Sequence, residues 1–413
     1  MVANDGVVDP ALVTLDQITA AAELLAPVIR ETPVIASRVL SERTDRQVWL
    51  KCENLQRTGS FKPRGAYNRI ANLDGEQRAR GVVAASAGNH AQGVAWAATE
   101  LGIESTVFMP ENAALPKVVA TKAYGGRVHL VGATLADALD AAAEFATETG
   151  AVLIHPFDHL DIVAGQASVG LEILRQIPDV ATILVPTGGG GLVAGIAAAM
   201  HHLAPRVRVI GVQAAGAAAW PISLGRGEPV RVQSMSTMAD GIAVPLPGQV
   251  PFTHVRELVD SVVTVSEEAL SGALLLCLER AKLLVEPAGA AAVAALMTGT
   301  TAVDGPVCAV LSGGNIDPLV LTHVMNHGLR AAGRYLVVKA VIPDRPGGLS
   351  GLLSVVSASG ASVLDVVHRR TAPTLGLDEV EVMLTVETRG TAHREAVLAA
   401  LAEAGVRAGV DEH

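Results

Sequence analysis

The stretch Ile183-Leu184-Val185-Pro186-Thr187-Gly188-Gly189-Gly190-Gly191-Leu192 decides the fold class. A short apolar, β-branched run enters four successive glycines, and an Ala-rich segment follows. A continuous apolar strand that hands over to a helix is the unit of a parallel sheet covered on both faces. The glycines let the backbone approach a ligand closely, and the N–H groups at the helix start then favour a phosphate. No Gly-Lys-Ser/Thr follows, so this is not a Walker loop. Nor is the spacing the Gly-x-Gly-x-x-Gly of a dinucleotide site.

Outward from this stretch the same alternation continues. Strands are expected at 48–52, 82–85, 105–109, 128–131, 183–185, 207–212, 262–265 and 307–311, with helices such as 91–101, 134–149 and 267–284 between them. Thr14 and Gln17 form a capping-box pattern ahead of the first helix. The rhythm changes near Gly333. Residues 335–342, 362–370 and 380–388 read as strands, 347–357 and 393–404 as helices, and 407–410 as a last strand. That β-α-β-β-α-β order is the ferredoxin-like arrangement. The expected domains are residues 1–330 and 334–413, with no Pro- or Ser-rich linker between them.

Two more tracts follow strands. Ser86-Ala87-Gly88-Asn89-His90 offers backbone donors to a carboxylate and an amide at Asn89, although His90 alone reads as an ordinary helix-start residue. Ser312-Gly313-Gly314-Asn315 ends the strand before it. Tracts at the carboxyl ends of strands converge on the ligand crevice of an open α/β sheet. Lysine is scarce, 6 residues against 25 arginines, and Lys62 stands in Thr58-Gly59-Ser60-Phe61-Lys62-Pro63-Arg64-Gly65-Ala66. Taken alone, it reads first as a helix-start lysine in a surface turn. Lysine also differs from arginine in that desolvation can strip its proton and free it for a Schiff base.

Bulk properties exclude several classes. The net charge of −10 argues against nucleic acid or an anionic membrane as the main partner. Half of the residues are hydrophobic but only 3% aromatic, so the core is built from small aliphatic side chains. Cys52, Cys277 and Cys308 are scattered without metal-ligand spacing and read as free thiols. Met1–Pro10 lacks a basic, apolar leader, and the apolar stretch 272–297 is broken by Glu279, Arg280, Lys282 and Glu286. A reduced, cytoplasmic setting is the expectation.

Ser-Phe-Lys-Pro-Arg-Gly-Ala (60–66), Ser-Ala-Gly-Asn-His (86–90), Gly-Gly-Gly-Gly-Leu (188–192) and Ser-Gly-Gly-Asn (312–315), in this order, resemble the fold-type II pyridoxal-phosphate enzymes. Within that family the chain looks most like the threonine dehydratases (threonine ammonia-lyases), over about residues 10–328. The resemblance implies a two-lobed parallel α/β fold of the tryptophan synthase β type. It implies pyridoxal 5′-phosphate held by Lys62 as a Schiff base, with Phe61 flanking the ring and Asn89 at the 3′-oxygen. Gly188, Gly189, Gly190, Gly191 and Leu192 are to cradle the phosphate, and Ser312 to face the ring nitrogen. Ser86, Ala87, Gly88, Asn89 and His90 are to seat the substrate carboxylate. The implied reaction removes water and then ammonia from L-threonine, giving 2-oxobutyrate, the committed step towards isoleucine. A neutral Ser312 at the ring nitrogen gives a weaker electron sink than an aspartate, which suits prompt elimination.

The tail resembles an ACT domain, with Asp344, Arg345, Pro346, Gly347, Gly348 and Leu349 as its ligand loop. That likeness implies an amino-acid effector, isoleucine or valine, and a homo-oligomer, dimer or tetramer; a dimerisation module without a ligand is the other reading. The chain also departs from its resemblance to serine racemases. Ala87 stands where those enzymes carry a second proton-delivering serine, so racemisation is not expected. The stretch Gly211–Ala219 offers one amide, Gln213, and no carboxylate, so no metal is expected there. Asp240 and Glu286 match family segments, each readable as a surface or structural carboxylate. Rival readings are a serine dehydratase, a hydroxyaspartate lyase, a β-replacement enzyme, or an amino-acid sensor without catalysis.

Overall fold

The computed structural model describes residues 11–370 and 375–411; the segment Met1–Pro10, read above for a leader, lies outside the described residues. In chain order the strands are Val34–Ala36 (β1), Val48–Lys51 (β2), Val82–Ala85 (β3), Ser105–Met109 (β4), Arg127–Leu130 (β5), Val152–Leu153 (β6), Thr182–Pro186 (β7), Arg208–Ala214 (β8), Ser261–Val265 (β9) and Val307–Val310 (β10). Four more follow: Tyr335–Pro343 (β11), Ser362–Arg369 (β12), Glu379–Glu387 (β13) and Arg407–Val410 (β14).

The chain divides into two compact units at Pro318/Leu319. The first holds two sheets. One has the order β1-β2-β10-β7-β8-β9 and is parallel except for the β1/β2 pair. The other is fully parallel, in the order β5-β4-β3-β6. All eight strands expected by residue pattern in this part are present. The short β1 and β6 carry too few residues to show a pattern.

Helices pack closely because their contact residues are small. In Gly191–Leu203 every residue from Gly191 to Met200 is buried. The helix Leu160–Gln176 lies between this helix and Lys62–Ala71 and touches both through glycine. A Cβ on Gly165 would sit 2.6 Å from the Arg64 carbonyl oxygen, and one on Gly195 would sit 2.6 Å from that of Val163. Such backbone approach leaves no room for a methyl group. The helix expected over 267–284 stops at Leu276. A π-helical turn, Cys277–Ala281, follows, and Lys282 adopts a left-handed conformation that ends it.

The second unit contains one antiparallel sheet in the order β12-β13-β11-β14. The helices Gly348–Ala358 and Thr391–Glu403 complete the β-α-β-β-α-β order, with a core of Leu336, Val338, Leu352, Leu384, Val386 and Leu401. This is the ferredoxin-like fold. The helix Pro318–Ala331, read from sequence with the first part, falls in this unit. Its C-terminal end is tied in by Arg330, whose guanidinium lies 5.6 Å from the Tyr335 ring centre. The Arg334 carbonyl likewise accepts from Thr388 N–H at 3.0 Å. Among the described residues no helix is long and apolar enough to cross a membrane.

Candidate active site

Three of the tracts singled out above follow β3, β7 and β10, and the lysine segment runs against the last of them. Lys62 opens the helix Lys62–Ala71, with Pro63 in its first turn, where a missing N–H costs nothing. Ser60 bridges Gly313, Phe61 N–H donates to the Ser312 carbonyl at 3.2 Å, and Gly314 N–H to the Gly59 carbonyl at 2.9 Å. The half-buried Lys62 amine donates to the Pro156 carbonyl at 3.0 Å and lies 5.1 Å from the Phe61 ring centre. Burial lowers its pKa to about 8, against the opposing pull of Glu286. Desolvation thus readies the amine as a nucleophile, so the surface-turn reading of Lys62 fails.

Glu286 is 4% exposed, and burial, aided by the charge of Asp240, raises its carboxyl to about 7. Its Oε1 accepts from Asn89 Nδ2 at 2.7 Å, and its backbone N–H donates to the Gly313 carbonyl at 3.1 Å. It is therefore not a surface carboxylate. Asp240 is more open and pairs with Lys117 at 2.6 Å. Ser312 is buried beside this cluster.

The four glycines form a cup at a helix N-terminus. Gly190 caps Gly191–Leu203 at φ +100, which a residue with a Cβ rarely adopts. A Cβ on Gly189 would lie 2.2 Å from the Phe157 ring, and one on Gly190 2.4 Å from the Trp220 ring. Trp220, fully buried, donates its Nε1–H to the Gly188 carbonyl at 2.6 Å. Only backbone fits at these positions against the Phe157 and Trp220 rings, and its N–H groups with the helix dipole suit a phosphate. In the loop after β3, Gly88 N–H donates to Ser86 Oγ at 3.1 Å. His90 is buried, with Nε2 on the Ile154 carbonyl at 2.7 Å. Burial and the Lys62 charge lower its pKa to about 3, so it stays neutral.

A desolvated lysine beside a backbone-lined anion cup is the donor set that pyridoxal phosphate requires. The family model described as "Pyridoxal-phosphate dependent enzyme" matches residues 25–313. The chain belongs to the pyridoxal-phosphate dependent enzymes. An L-threonine ammonia-lyase from Thermotoga maritima is 44% identical over 94% of this chain and 96% of its own. Among solved structures, the processed form of threonine deaminase isoform 2 from Solanum lycopersicum superposes with a TM-score of 0.72 at 34% identity, covering 79% of this chain and 98% of that one. A serine racemase from maize gives 0.73 at 36% identity, covering 78% of this chain and 99% of its own.

Behind the lysine of this pyridoxal-phosphate dependent enzyme lies a buried charge cluster that the motifs did not announce. Arg64, two residues after Lys62, donates from Nε to Glu53 at 2.8 Å and from Nη1 to Glu172 at 2.7 Å and Ser168 at 3.0 Å. Lys51 donates to Glu172 at 2.5 Å, to the Thr32 carbonyl at 2.8 Å and to Gln176 at 2.9 Å. Two cations and two carboxylates balance, and each is multiply hydrogen-bonded, the condition under which buried charge is tolerated.

Sequence reading also missed the segment His155–Asp158, which supplies the carbonyl facing Lys62 and the ring facing the cup. Nothing in its composition marks it. His155 Nδ1 accepts from Asp158 N–H at 2.8 Å, and burial lowers its pKa to about 4. The stretch read against a metal site holds Gln213, fully buried, whose Oε1 accepts from Trp220 N–H at 3.1 Å. Among the described residues no three His, Cys, Asp or Glu side chains are grouped to hold a metal ion.

Proposed function

We propose that this enzyme is an L-threonine ammonia-lyase, converting L-threonine to 2-oxobutyrate and ammonia. The observation that carries it is the desolvated Lys62 amine, which donates to the Pro156 carbonyl next to the Phe157 ring that backs the glycine cup, in a chain 44% identical to an L-threonine ammonia-lyase over nearly its full length. Lys62 would hold pyridoxal phosphate through its amine, and as a free base its Nζ would take the α-proton of the substrate. Bound pyridoxal phosphate supplies the electron sink for the resulting negative charge. Gly188–Leu192 would hold its phosphate through backbone N–H, and Asn89, Ser312 and Phe61 would hold its ring. The backbone of Ser86–His90 seats the substrate carboxylate. Ala87 has no hydroxyl with which to return a proton to the opposite face, which favours elimination over racemisation.

We also propose that residues 334–413 act as an ACT-type regulatory domain on the catalytic part, residues 1–330. The support is the loop Asp344–Leu349. Asp344 is held by Arg370 at 3.0 Å, and Gly347 leads into the helix Gly348–Ala358. One face of that helix presents Leu349, Leu353 and Ala358 among Ser350, Ser354 and Ser357. The effector expected of this domain is an amino acid with an aliphatic side chain, isoleucine or valine. At the sheet edge, β12 exposes Val363, Leu364 and Val366. An open apolar edge strand is a pairing surface, so the enzyme is a homo-oligomer, dimer or tetramer, through this edge.

The test is release of 2-oxo acid from L-threonine and L-serine by the purified enzyme, with and without isoleucine. Faster turnover of threonine, depressed by isoleucine and freed of that effect on deleting residues 334–413, is expected. Failure to release 2-oxo acid from either substrate would sink the lyase reading. An isoleucine effect that survives the deletion would sink the placement of the regulatory site.

A further inference from the structure

The orientation of the Asn89 side-chain amide is set from two sides. Asn315 Nδ2 donates to the Thr58 carbonyl at 2.6 Å and to Asn89 Oδ1 at 2.8 Å. A primary amide has two donor hydrogens on nitrogen, and both are used. Turned over, Asn315 would place its own oxygen against two acceptors. Asn89 Oδ1 therefore faces a donor, and its Nδ2 faces Glu286 Oε1 at 2.7 Å. Turned over, Asn89 would set its own NH2 against the NH2 of Asn315.

The space for this chain of amides is cut by glycine. A Cβ on Gly59 would meet Asn315 Oδ1 at 2.4 Å, and one on Gly313 would meet Glu286 Oε1 at 2.3 Å. The relay thus joins the lysine segment, the helix start at Asn89, the Glu286 segment and the loop after β10. Gln92 Oε1, at 3.5 Å from Asn315 Nδ2, is a weaker third acceptor.

We infer that Asn315 is a positioning residue that fixes which end of the Asn89 amide faces the cofactor. With one Nδ2 hydrogen on Glu286, the second is left to donate, and the ring oxygen of pyridoxal phosphate is its acceptor. This rests on the cofactor role proposed above for Asn89. Without Asn315, the Asn89 amide samples both orientations, and the ring oxygen meets a carbonyl oxygen in one of them.

The test compares wild type, Asn315→Ala, Asn89→Ala and the double variant as holoenzymes. The readouts are the visible absorption of the bound cofactor across pH and its dissociation constant for pyridoxal 5′-phosphate. Asn315→Ala is expected to weaken cofactor binding several-fold and to shift the absorption profile in the same direction as Asn89→Ala. The double variant should match Asn89→Ala alone, because residues acting through one another are not additive. Additive losses, or an unchanged profile in Asn315→Ala, would overturn the inference. Should Asn315→Ala not fold, Asn315→Ser keeps a donor hydroxyl and is expected to fall between wild type and Asn89→Ala; a profile identical to wild type or to Asn89→Ala would count against it. Failure of wild type to show visible cofactor absorption would instead strike the lyase reading, which keeps the two failures apart.

Discussion

Arg64 grips Glu172 with both terminal nitrogens, Nη1 on Oε1 at 2.7 Å and Nη2 on Oε2 at 3.0 Å, and both residues are buried. Arg64 sits in the first turn of the helix that Lys62 opens, so this fork fixes the lysine helix to Leu160–Gln176. Glu172→Ala leaves the guanidinium of Arg64 and the amine of Lys51 short of a counter-charge in the interior. The expected loss is about 3–5 kcal/mol, read from the urea midpoint of unfolding. A loss below about 1 kcal/mol would mean that these charges behave as a solvated surface pair.

Lys62 carries a stability cost that its chemistry requires. Its folded pKa lies below that of the unfolded chain, 10.5 against about 8, because burial disfavours the charged amine. The unfolded chain thus holds more protons between those values, and stability rises with pH across that window. Lys62→Met removes the burden. With both proteins cofactor-free, the variant is expected to be more stable than wild type by roughly 2–3 kcal/mol below pH 8, with the difference fading towards pH 10.5. Equal stability at pH 7 would show that the amine is solvated when folded.

Glu286 runs the opposite way. Its carboxyl rises from 4.5 to about 7 on burial, so the folded protein keeps a proton that the unfolded chain has lost. Stability therefore falls as pH increases from 4.5 to 7. In Glu286→Gln that fall should be largely absent, measured as urea midpoints of the cofactor-free protein at several pH values. A slope as steep as in wild type would assign the fall to another group.

The cup can be tested by its walls. Gly189→Ala places a methyl group against the near edge of the Phe157 ring, whereas Gly190→Ala meets Trp220 and also forces an unfavourable φ. Adding Phe157→Ala should restore much of the stability lost in Gly189→Ala but little of that lost in Gly190→Ala. Thermal unfolding of the four variants decides it; equal rescue would mean that the Phe157 ring is not what limits position 189.

Trp220→Phe keeps an aromatic ring but removes the pyrrole part of the indole with its donor to the Gly188 carbonyl, leaving a buried acceptor unpaired. The expected cost is about 1–3 kcal/mol in stability. Weaker binding of pyridoxal 5′-phosphate should accompany it, because the carbonyl belongs to the cup. Unchanged cofactor affinity would show that the cup holds its shape without this bond.

Much of the fold was legible in the sequence because apolar runs that pass into glycine mark where a strand hands over to the next element. All three tracts lie where strands β3, β7 and β10 end. Lys62 became convincing only through its neighbours in the chain. The rest lacks a local signature. Glu286 reads as any carboxylate until Asn89 and Gly313 are brought against it from 197 and 27 positions away. Pro156 contributes a carbonyl, which every residue has. Arg64 and Glu172, 108 positions apart, declare themselves as partners only once the two helices are packed.

The helix Leu160–Gln176 touches the helix Lys62–Ala71 at Gly165 and the helix Gly191–Leu203 at Gly195, backbone to backbone at both points. A main chain cannot swing aside or be trimmed as a side chain can. The span between the amine of Lys62 and the floor of the glycine cup is thus a gauge cut into the main chain. Repacking the pocket walls can change which amino acid is admitted, but a cofactor with a longer or shorter arm would demand that two helix crossings be rebuilt together.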